Sequence, residues 1–344
     1  MRDYCCHLGA SSKYPSNNRA DRDCDQNIGN CPGFLPSGLP NWPDWRWNDT
    51  TTFVDSASSD LQVVAWHYYA YYGCKLAASP NTPCTPGLPP AAEALTTPRF
   101  LDRTAERAGR YSRLQQKSAP HAQTWLTATA SGGLGGVPNV SNAFASSLWF
   151  LDSLGMVAEN ENSVYFRDEI FCGYDYFQSR FFEWSPYCII ELSRDGEINK
   201  VNPDFFPGLL FKRLAGQAVL RATVVPEPSF EYESKLRAYA FCGRDGRSTT
   251  TILVNLGSAP LNVTLAVGGA AQKSRTVWLL TAGDDLGLHS RRIRVNGRLM
   301  PDDGTAPSEA ELAGLRLPAA GSTVALPGLS AALVADAHGG QGCP

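Results

Sequence analysis

Three places in the chain set side chains capable of chemistry at the end of an apolar run. The first is Trp66-His67-Tyr68-Tyr69, closing Leu61-Gln62-Val63-Val64-Ala65. The second is Gln123-Thr124-Trp125-Leu126-Thr127-Ala128-Thr129-Ala130-Ser131, which runs into Gly132-Gly133-Leu134-Gly135-Gly136. The third is the run Ser163 to Phe171 with the residues just after it, which together hold the carboxylates Asp168, Glu169 and Asp175. A short apolar strand that ends in small hydroxyl residues and glycines delivers its last side chains to the C-terminal mouth of a parallel barrel. The position that ought to carry the reaction there is Ala128, which has nothing to react. A strand ending in a glycine loop is also an ordinary turn, and a single strand-end histidine is also an ordinary loop or core residue.

The elements that would position these residues follow from periodicity. Leu61 to Tyr69 has the character of a buried parallel strand, preceded by a short helix over 51–61. Phe100, Ala105, Ala108, Tyr111 and Leu114 give an amphipathic helix over 97–116 with a solvated, arginine-rich outer face. Ser141 is placed to cap a helix carrying Phe144, Leu148, Leu151 and Leu154, with Gly155 as its stop. A strand follows over 163–171, then a helix over 204–215 with Pro207 in its first turn and Gly216 at its end. The alternation of strand and helix requires a parallel sheet, since parallel neighbours need a crossover. About three such units are visible where a closed barrel needs eight, so a partial barrel is expected.

From about 217 the pattern changes to short alternating runs, such as Thr250-Thr251-Ile252-Leu253-Val254 and Arg275-Thr276-Val277-Trp278-Leu279-Leu280, separated by turn residues. That is a β-sandwich pattern. The expected fold is thus α/β plus all-β: an irregular segment over 1–50, the C-terminal strands of a TIM-type (β/α) barrel over 51–216, and a β-sandwich over 217–344. Trp42, Trp45 and Trp47 are too many large aromatics for a solvated linker. They are expected to pack on the following unit, with an aromatic sugar platform as the other reading.

The chain has 344 residues, 43% hydrophobic and 18% charged, with a formal net charge of -3. These values fit a globular protein and leave no electrostatic footprint for nucleic acid, and no apolar run is long enough to span a bilayer. Ten cysteines without a CxxC pair, beside only five histidines, argue for disulfides in a secretory compartment and against a zinc site. One of these bonds is expected to close a proline-rich loop from Cys74 to Cys84. The tripeptides Asn48-Asp49-Thr50, Asn139-Val140-Ser141 and Asn262-Val263-Thr264 are glycosylation sequons of the same compartment. The opening Met1-Arg2-Asp3-Tyr4-Cys5-Cys6 is not a signal peptide, which leads to the expectation that the natural N-terminus lies further upstream.

Several blocks in order carry a family likeness. They are Val64-Ala65-Trp66-His67-Tyr68-Tyr69, Trp125-Leu126, Trp149-Phe150-Leu151-Asp152-Ser153-Leu154-Gly155, Phe166-Arg167 and Pro203-Asp204-Phe205-Phe206. Leu210 to Gly216, Arg237-Ala238-Tyr239-Ala240-Phe241-Cys242, Arg294-Val295-Asn296-Gly297, Val324-Ala325-Leu326-Pro327 and Cys343 continue it. Over roughly 55–344 the chain resembles the heparanase family, glycoside hydrolase family 79, which cleaves β-glucuronides. The resemblance implies a (β/α)8 barrel with an appended β-sandwich, no cofactor, a glucuronide-containing polysaccharide as partner, and an extracellular, lysosomal or membrane-peripheral setting.

It also implies a retaining mechanism, in which one carboxyl protonates the leaving oxygen while a second, ~5–5.5 Å away, attacks the anomeric carbon. The family's acid sits in an Asn-Glu pair on an earlier strand, and no such pair stands before residue 60 here; Asn160-Glu161 follows a helix and belongs to the surface. The nucleophile position, two residues after the leucine of Trp125-Leu126, is Ala128. A methyl group cannot attack, so the family mechanism is not expected to run unaided. His67 and Tyr69 match a strand-end pair lining the cleft, with Trp66 beside them. Asp175-Tyr176 falls where relatives contact a glucuronate, and Asp168 replaces a glutamine. A carboxylate there repels a substrate carboxylate, unless it is spent in an ion pair with Arg167 or another neighbour. A carbohydrate-binding protein without catalysis is the rival reading. Cys242 closes an alternating strand and Cys343 follows the last apolar one, and the resemblance implies that they pair; a free cysteine on a frayed tail is the alternative.

Overall fold

A computed structural model describes residues 47–72, 90–133, 135–173, 185–193, 195–225, 235–266, 272–318, 323–338 and 343. Trp42, Trp45, the Cys74 to Cys84 loop, Asp175 and Tyr176 lie outside the described residues. Strands β1 (Val63–Tyr72), β2 (Gln123–Gly133) and β3 (Val164–Arg167) form a parallel sheet in that order. Helix α1 (Trp47–Ser56) precedes it, so residues 47–50, expected to be irregular, are helical. Helices α2 (Ala91–Ala94) and α3 (Pro98–Ser118) connect β1 to β2, and α4 (Phe144–Glu159) connects β2 to β3.

Alternation along β1 decides its packing. Val64, Trp66, Tyr68 and Ala70 are buried while Ala65, His67 and Tyr69 are half-buried, as the two faces of a pleat require. The buried row meets α3, where the Trp66 ring stacks on Tyr111 with centroids 5.3 Å apart. Its Nε1–H donates to Asn162 Oδ1 at 2.8 Å. Trp66, expected beside the cleft, is therefore a core residue. Trp47 meets Tyr111 edge-on, and the Arg110 guanidinium lies 3.7 Å from the centroid of the Trp47 ring. The arginine-rich face of α3 is thus partly a cover for an aromatic rather than wholly solvated.

Helix α4 is buried on every side from Phe144 to Val157. A helix apolar all round belongs in the middle of a protein, and α4 has the parallel sheet on one side and the antiparallel strands on the other. Two expectations fail here. The cap position is Ala143, without a side-chain bond, because the Ser141 hydroxyl accepts the Val137 N–H at 3.0 Å. Gly155 does not stop the helix. It admits the Tyr239 ring so closely that an added Cβ would lie 2.0 Å from Tyr239 Cγ.

The run expected as one strand over 163–171 divides into β3 and β4 (Phe171–Gly173). The latter pairs with β5 (Ile190–Leu192), which pairs with β6 (Ile198–Val201) in a separate sheet. A disulfide from Cys172 to Cys188 fastens this small sheet to the segment before β5. Helix α5 (Phe205–Leu214) passes without a loop into β7 (Ala215–Leu220), so Gly216 is a strand residue rather than a helix end.

The remaining chain makes an eight-stranded antiparallel sheet. Its strands are β7, β8 (Leu236–Gly243), β9 (Ser248–Asn255), β11 (Gln272–Ala282), β12 (Ile293–Val295), β13 (Arg298–Leu299), β14 (Leu315–Leu317) and β16 (Ser330–His338). A two-stranded ribbon of β10 (Leu261–Thr264) and β15 (Thr323–Leu326) stands apart. Ile252, Val254, Ala331 and Leu333 join the core around α4, while Leu253, Ala332 and Val334 pack with Val324 and Leu326 of the ribbon. One cross-strand pair inside this sheet is ionic: buried Arg275 donates to Asp336 through Nε at 2.8 Å and a second nitrogen at 3.2 Å. Cys242 of β8 and Cys343 are bonded, with alpha carbons 5.5 Å apart and a sequence separation of 101. Closing so long a loop stabilises by up to ~4.7 kcal/mol in the chain-entropy model.

The two sheets meet at a polar junction on α4. Tyr239 Oη donates to Asp152 Oδ1 at 2.7 Å, and Arg237 binds Asp102 at 2.5 Å and the Pro98 carbonyl at 3.0 Å. Burial pushes the Asp152 carboxyl from its ordinary 3.8 up to about 6, against the pull of Arg237 and the Tyr239 hydroxyl. Between those pH values the folded protein keeps a proton that the unfolded chain has released, so stability falls as pH rises through the window. Urea denaturation should show a loss on the order of 2 kcal/mol from this group. Asp152→Asn, which keeps an acceptor for Tyr239, should flatten that part of the slope; an unchanged slope would show that Asp152 does not carry it.

Candidate functional site

The pairing of β1 with β2 slips by one residue between Trp66 and His67, so that His67 stands beside Ala128 and Tyr69 beside Ala130. On the other side of β2, Thr129 stands beside Arg167. Parallel strands end at the same edge, and the slip brings His67, Tyr69, Ala128 and Asp168 to one place there. Of the residues expected in the cleft, these four are assembled, and Asp175 and Tyr176 fall outside the described residues.

Tyr69 Oη donates to Asp168 Oδ2 at 2.7 Å. The Tyr69 ring stacks on Tyr187, with centroids 6.2 Å apart and planes 28° from parallel. Tyr187 precedes Cys188, so the disulfide to Cys172 holds this aromatic against the strand ends. Neither Tyr187 nor Ser185 was expected here. The only signal for them was a cysteine beside Tyr187, and cysteine pairing cannot be deduced from sequence.

Burial pushes the Glu169 carboxyl up to about 7, a Ser185 hydrogen bond opposes this, and the neighbouring Asp168 charge adds to it. Its Oε2 is buried with no hydrogen-bond partner among the described residues. Glu169 therefore holds a proton over much of the neutral range. Burial lowers the pKa of His67, partly offset by the charge of Asp168. The imidazole is thus not a standing cation near neutral pH.

Arg167 does not pair with Asp168. Adjacent residues of a strand point to opposite faces, and the guanidinium turns inward to Asp204 Oδ2 and the Tyr187 carbonyl, each at 2.6 Å. It also lies 5.6 Å from the Trp149 ring centroid. Both charged side chains of the pair are almost wholly buried. Ser146 Oγ reaches Asp204 at 3.4 Å and Ser131 at 3.2 Å, tying the end of β2 into the same group.

Chemically, the edge offers a proton-bearing carboxyl, a carboxylate held by a phenol, and an aromatic pair. At Ala128, beside His67, it offers a methyl group. The Asn160-Glu161 pair supplies nothing to this edge. Asn160 caps the C-terminus of α4, donating to the Met156 carbonyl at 2.8 Å, Glu161 is exposed, and both precede β3 at the far end of the sheet.

Removing the cation of the buried pair tests how the edge is built. Arg167→Leu leaves Asp204 buried without its partner, and such losses cost about 3–5 kcal/mol. Chemical denaturation should show a drop of that order, recovered in large part by the double variant Arg167→Leu, Asp204→Leu. A loss below about 1 kcal/mol would mean that the pair does not hold the strand end.

The family model for the Glycosyl hydrolase family 79 N-terminal domain matches residues 85–155. The chain is similar to Inactive heparanase-2 of Mus musculus, 29% identical over 223 residues that cover 61% of this chain and 35% of that protein. It is similar to Heparanase of Gallus gallus, 27% identical over 288 residues that cover 81% of this chain and 47% of that protein. The chain thus spans less than half the length of these relatives. Among solved structures, the GH51 α-L-arabinofuranosidase of Thermotoga petrophila superposes with a TM-score of 0.54 at 13% identity, covering 85% of this chain and 56% of that one, a likeness of fold alone. The family-domain match and these relatives agree with the ordered sequence blocks in likening the chain to the heparanase family of glycoside hydrolases.

Proposed function

We propose that this chain is a heparanase-family protein that binds a glycan at the strand-end cleft without hydrolysing it by the two-carboxylate route. The observation that carries this reading is the register that brings Ala128 beside His67; in the family resemblance Ala128 stands at the nucleophile position, and a methyl group cannot attack. Losing a covalent nucleophile removes a contribution of many powers of ten in rate. In this reading 51–216 is the C-terminal part of a (β/α)8 barrel and 217–344 a β-sandwich, and the fold likeness to a glycosidase supports it. The family's substrate class, a glucuronide-containing polysaccharide, is the starting point for the ligand. An extracellular, lysosomal or membrane-associated setting goes with the buried disulfides.

Within the cleft, His67, Tyr69 and Asp168 contact the sugar, with Asp175 and Tyr176 as further contacts. The electrostatics favour a unit without a carboxylate. Arg167 is spent on Asp204, His67 is disfavoured as a cation, and Asp168 and Glu169 stand at the same edge. A glucuronate set against Asp168 meets a like charge in a partly desolvated place.

A second reading, favoured by the proton held on Glu169, gives residual hydrolysis to the strand-end acids. Glu169→Gln and Asp168→Asn would then each abolish it.

The purified chain should release no chromophore from an aryl β-glucuronide and no fragments from heparan sulfate. Ala128→Glu should stay inactive, because no Asn-Glu pair like the family's acid stands at this edge among the described residues. In calorimetry, Asp168→Asn should bind a heparin-derived hexasaccharide several-fold tighter than wild type. Turnover by the wild-type chain would eliminate the non-catalytic reading, and weaker binding by Asp168→Asn would show that Asp168 attracts the ligand instead of repelling it.

A further inference from the structure

The β10–β15 ribbon carries a motif that the cleft does not use. Along β10, Leu261 and Val263 turn toward the sheet while Asn262 and Thr264 are exposed, so both polar residues of Asn262-Val263-Thr264 share one outward face. Across the ribbon the register sets Asn262 opposite Ala325 and Thr264 opposite Thr323, and both partners are exposed. A methyl neighbour leaves room beside the Asn262 carboxamide. That carboxamide has no hydrogen-bond partner among the described residues.

The other two sequons differ. In Asn139-Val140-Ser141 the asparagine has φ 55°, its carbonyl lies 2.9 Å from His289 Nδ1, and buried Ser141 has its hydroxyl taken by the Val137 N–H. In Asn48-Asp49-Thr50 the threonine is buried in α1. Only in β10 do the amide and the hydroxyl both stay at the surface, in extended backbone. The compartment is consistent: Cys172–Cys188 and Cys242–Cys343 are bonded, and no cysteine among the described residues is left unpaired.

We infer that Asn262 is an N-glycosylation acceptor whose glycan covers the outward face of the β10–β15 ribbon. The donor is an oligosaccharide carried on a lipid pyrophosphate. The amide nitrogen of Asn262 bonds to the anomeric carbon, and the bond from that carbon to the pyrophosphate oxygen breaks. The lipid pyrophosphate departs with the electron pair, and the nitrogen gives up one proton. Thr264 supplies the hydroxyl that the acceptor motif requires. Among the described residues both strands of the ribbon have an open edge, and a bulky solvated glycan there discourages pairing with another chain.

The full chain, translated behind an added secretory leader in the presence of microsomal membranes, tests this without requiring a folded product. Protease-protected chains should show a mobility shift that an N-glycan-specific endoglycosidase removes. Asn262→Gln and Thr264→Ala should each take away one glycan of that shift, whereas Asn139→Gln and Asn48→Gln should retain it. A protected chain with no shift, or a shift that Asn262→Gln leaves intact, overturns the assignment. For protein secreted from cells, the peptide containing Asn262 should be deamidated at that residue after peptide-N-glycosidase treatment. An unmodified Asn262 peptide from material in which Cys242–Cys343 has formed also overturns it.

Discussion

The buried ion pair between Arg167 and Asp204 is the interaction on which most of the candidate site depends. Taking both charges out of water is costly, and the structure offsets the cost with the Tyr187 carbonyl, the Ser146 hydroxyl and the faces of Trp149 and Phe150. Through these contacts the end of β3 is fixed to α4, to the segment carrying Tyr187, and to the start of α5. Because α5 runs directly into β7, the same pair links the parallel sheet to the edge of the antiparallel one. Its electrostatic consequence is equally direct. The Arg167 cation beside the strand ends is withdrawn into the core, which leaves the Asp168 carboxyl and the proton-holding Glu169 at this edge.

Helix α4 supplies the second half of the linkage. One face meets β2 and α3, another meets β8 and β9, and residues of both sheets belong to one hydrophobic core. The close seat of Tyr239 on Gly155 and the Tyr239–Asp152 hydrogen bond give this contact a fixed geometry. A parallel sheet of three strands, with both edges open among the described residues, is a poor independent unit. Packing through α4 onto a large antiparallel sheet gives it a shared interior, which is why its strand ends can hold a defined arrangement.

Much of this was legible in the sequence, for physical reasons that can be named. A continuous apolar run marked β1, helical spacing marked α3, and alternating β-branched runs marked the strands from about residue 217 onward. The identity of Ala128 was plain once the strand was placed. Two errors were avoidable: alternation alone puts Trp66 with Tyr68, away from His67 and Tyr69, and likewise separates Arg167 from Asp168. Other features depend on distant partners and left no local trace. Gly155 has the look of a helix stop, and only the approach of Tyr239 shows that it is a contact glycine. The division of 163–171 between two sheets, the Cys172–Cys188 bond, and the stacking of Tyr187 on Tyr69 are long-range choices of the same kind.

On the proposed reading, Asp168 and Glu169 do not take over the role of the nucleophile that the family resemblance assigns to the Ala128 position. A retaining glycosidase forms an ester with its sugar, and a 2-fluoro β-glucuronide with a good leaving group traps that ester. Intact-mass measurement of the purified chain after prolonged incubation with such a compound tests the claim most directly. The mass should stay unchanged, because Ala128 cannot form the bond and Asp168 is held by Tyr69. An adduct of one glycosyl unit, mapped by peptide sequencing to Asp168 or Glu169, would contradict it.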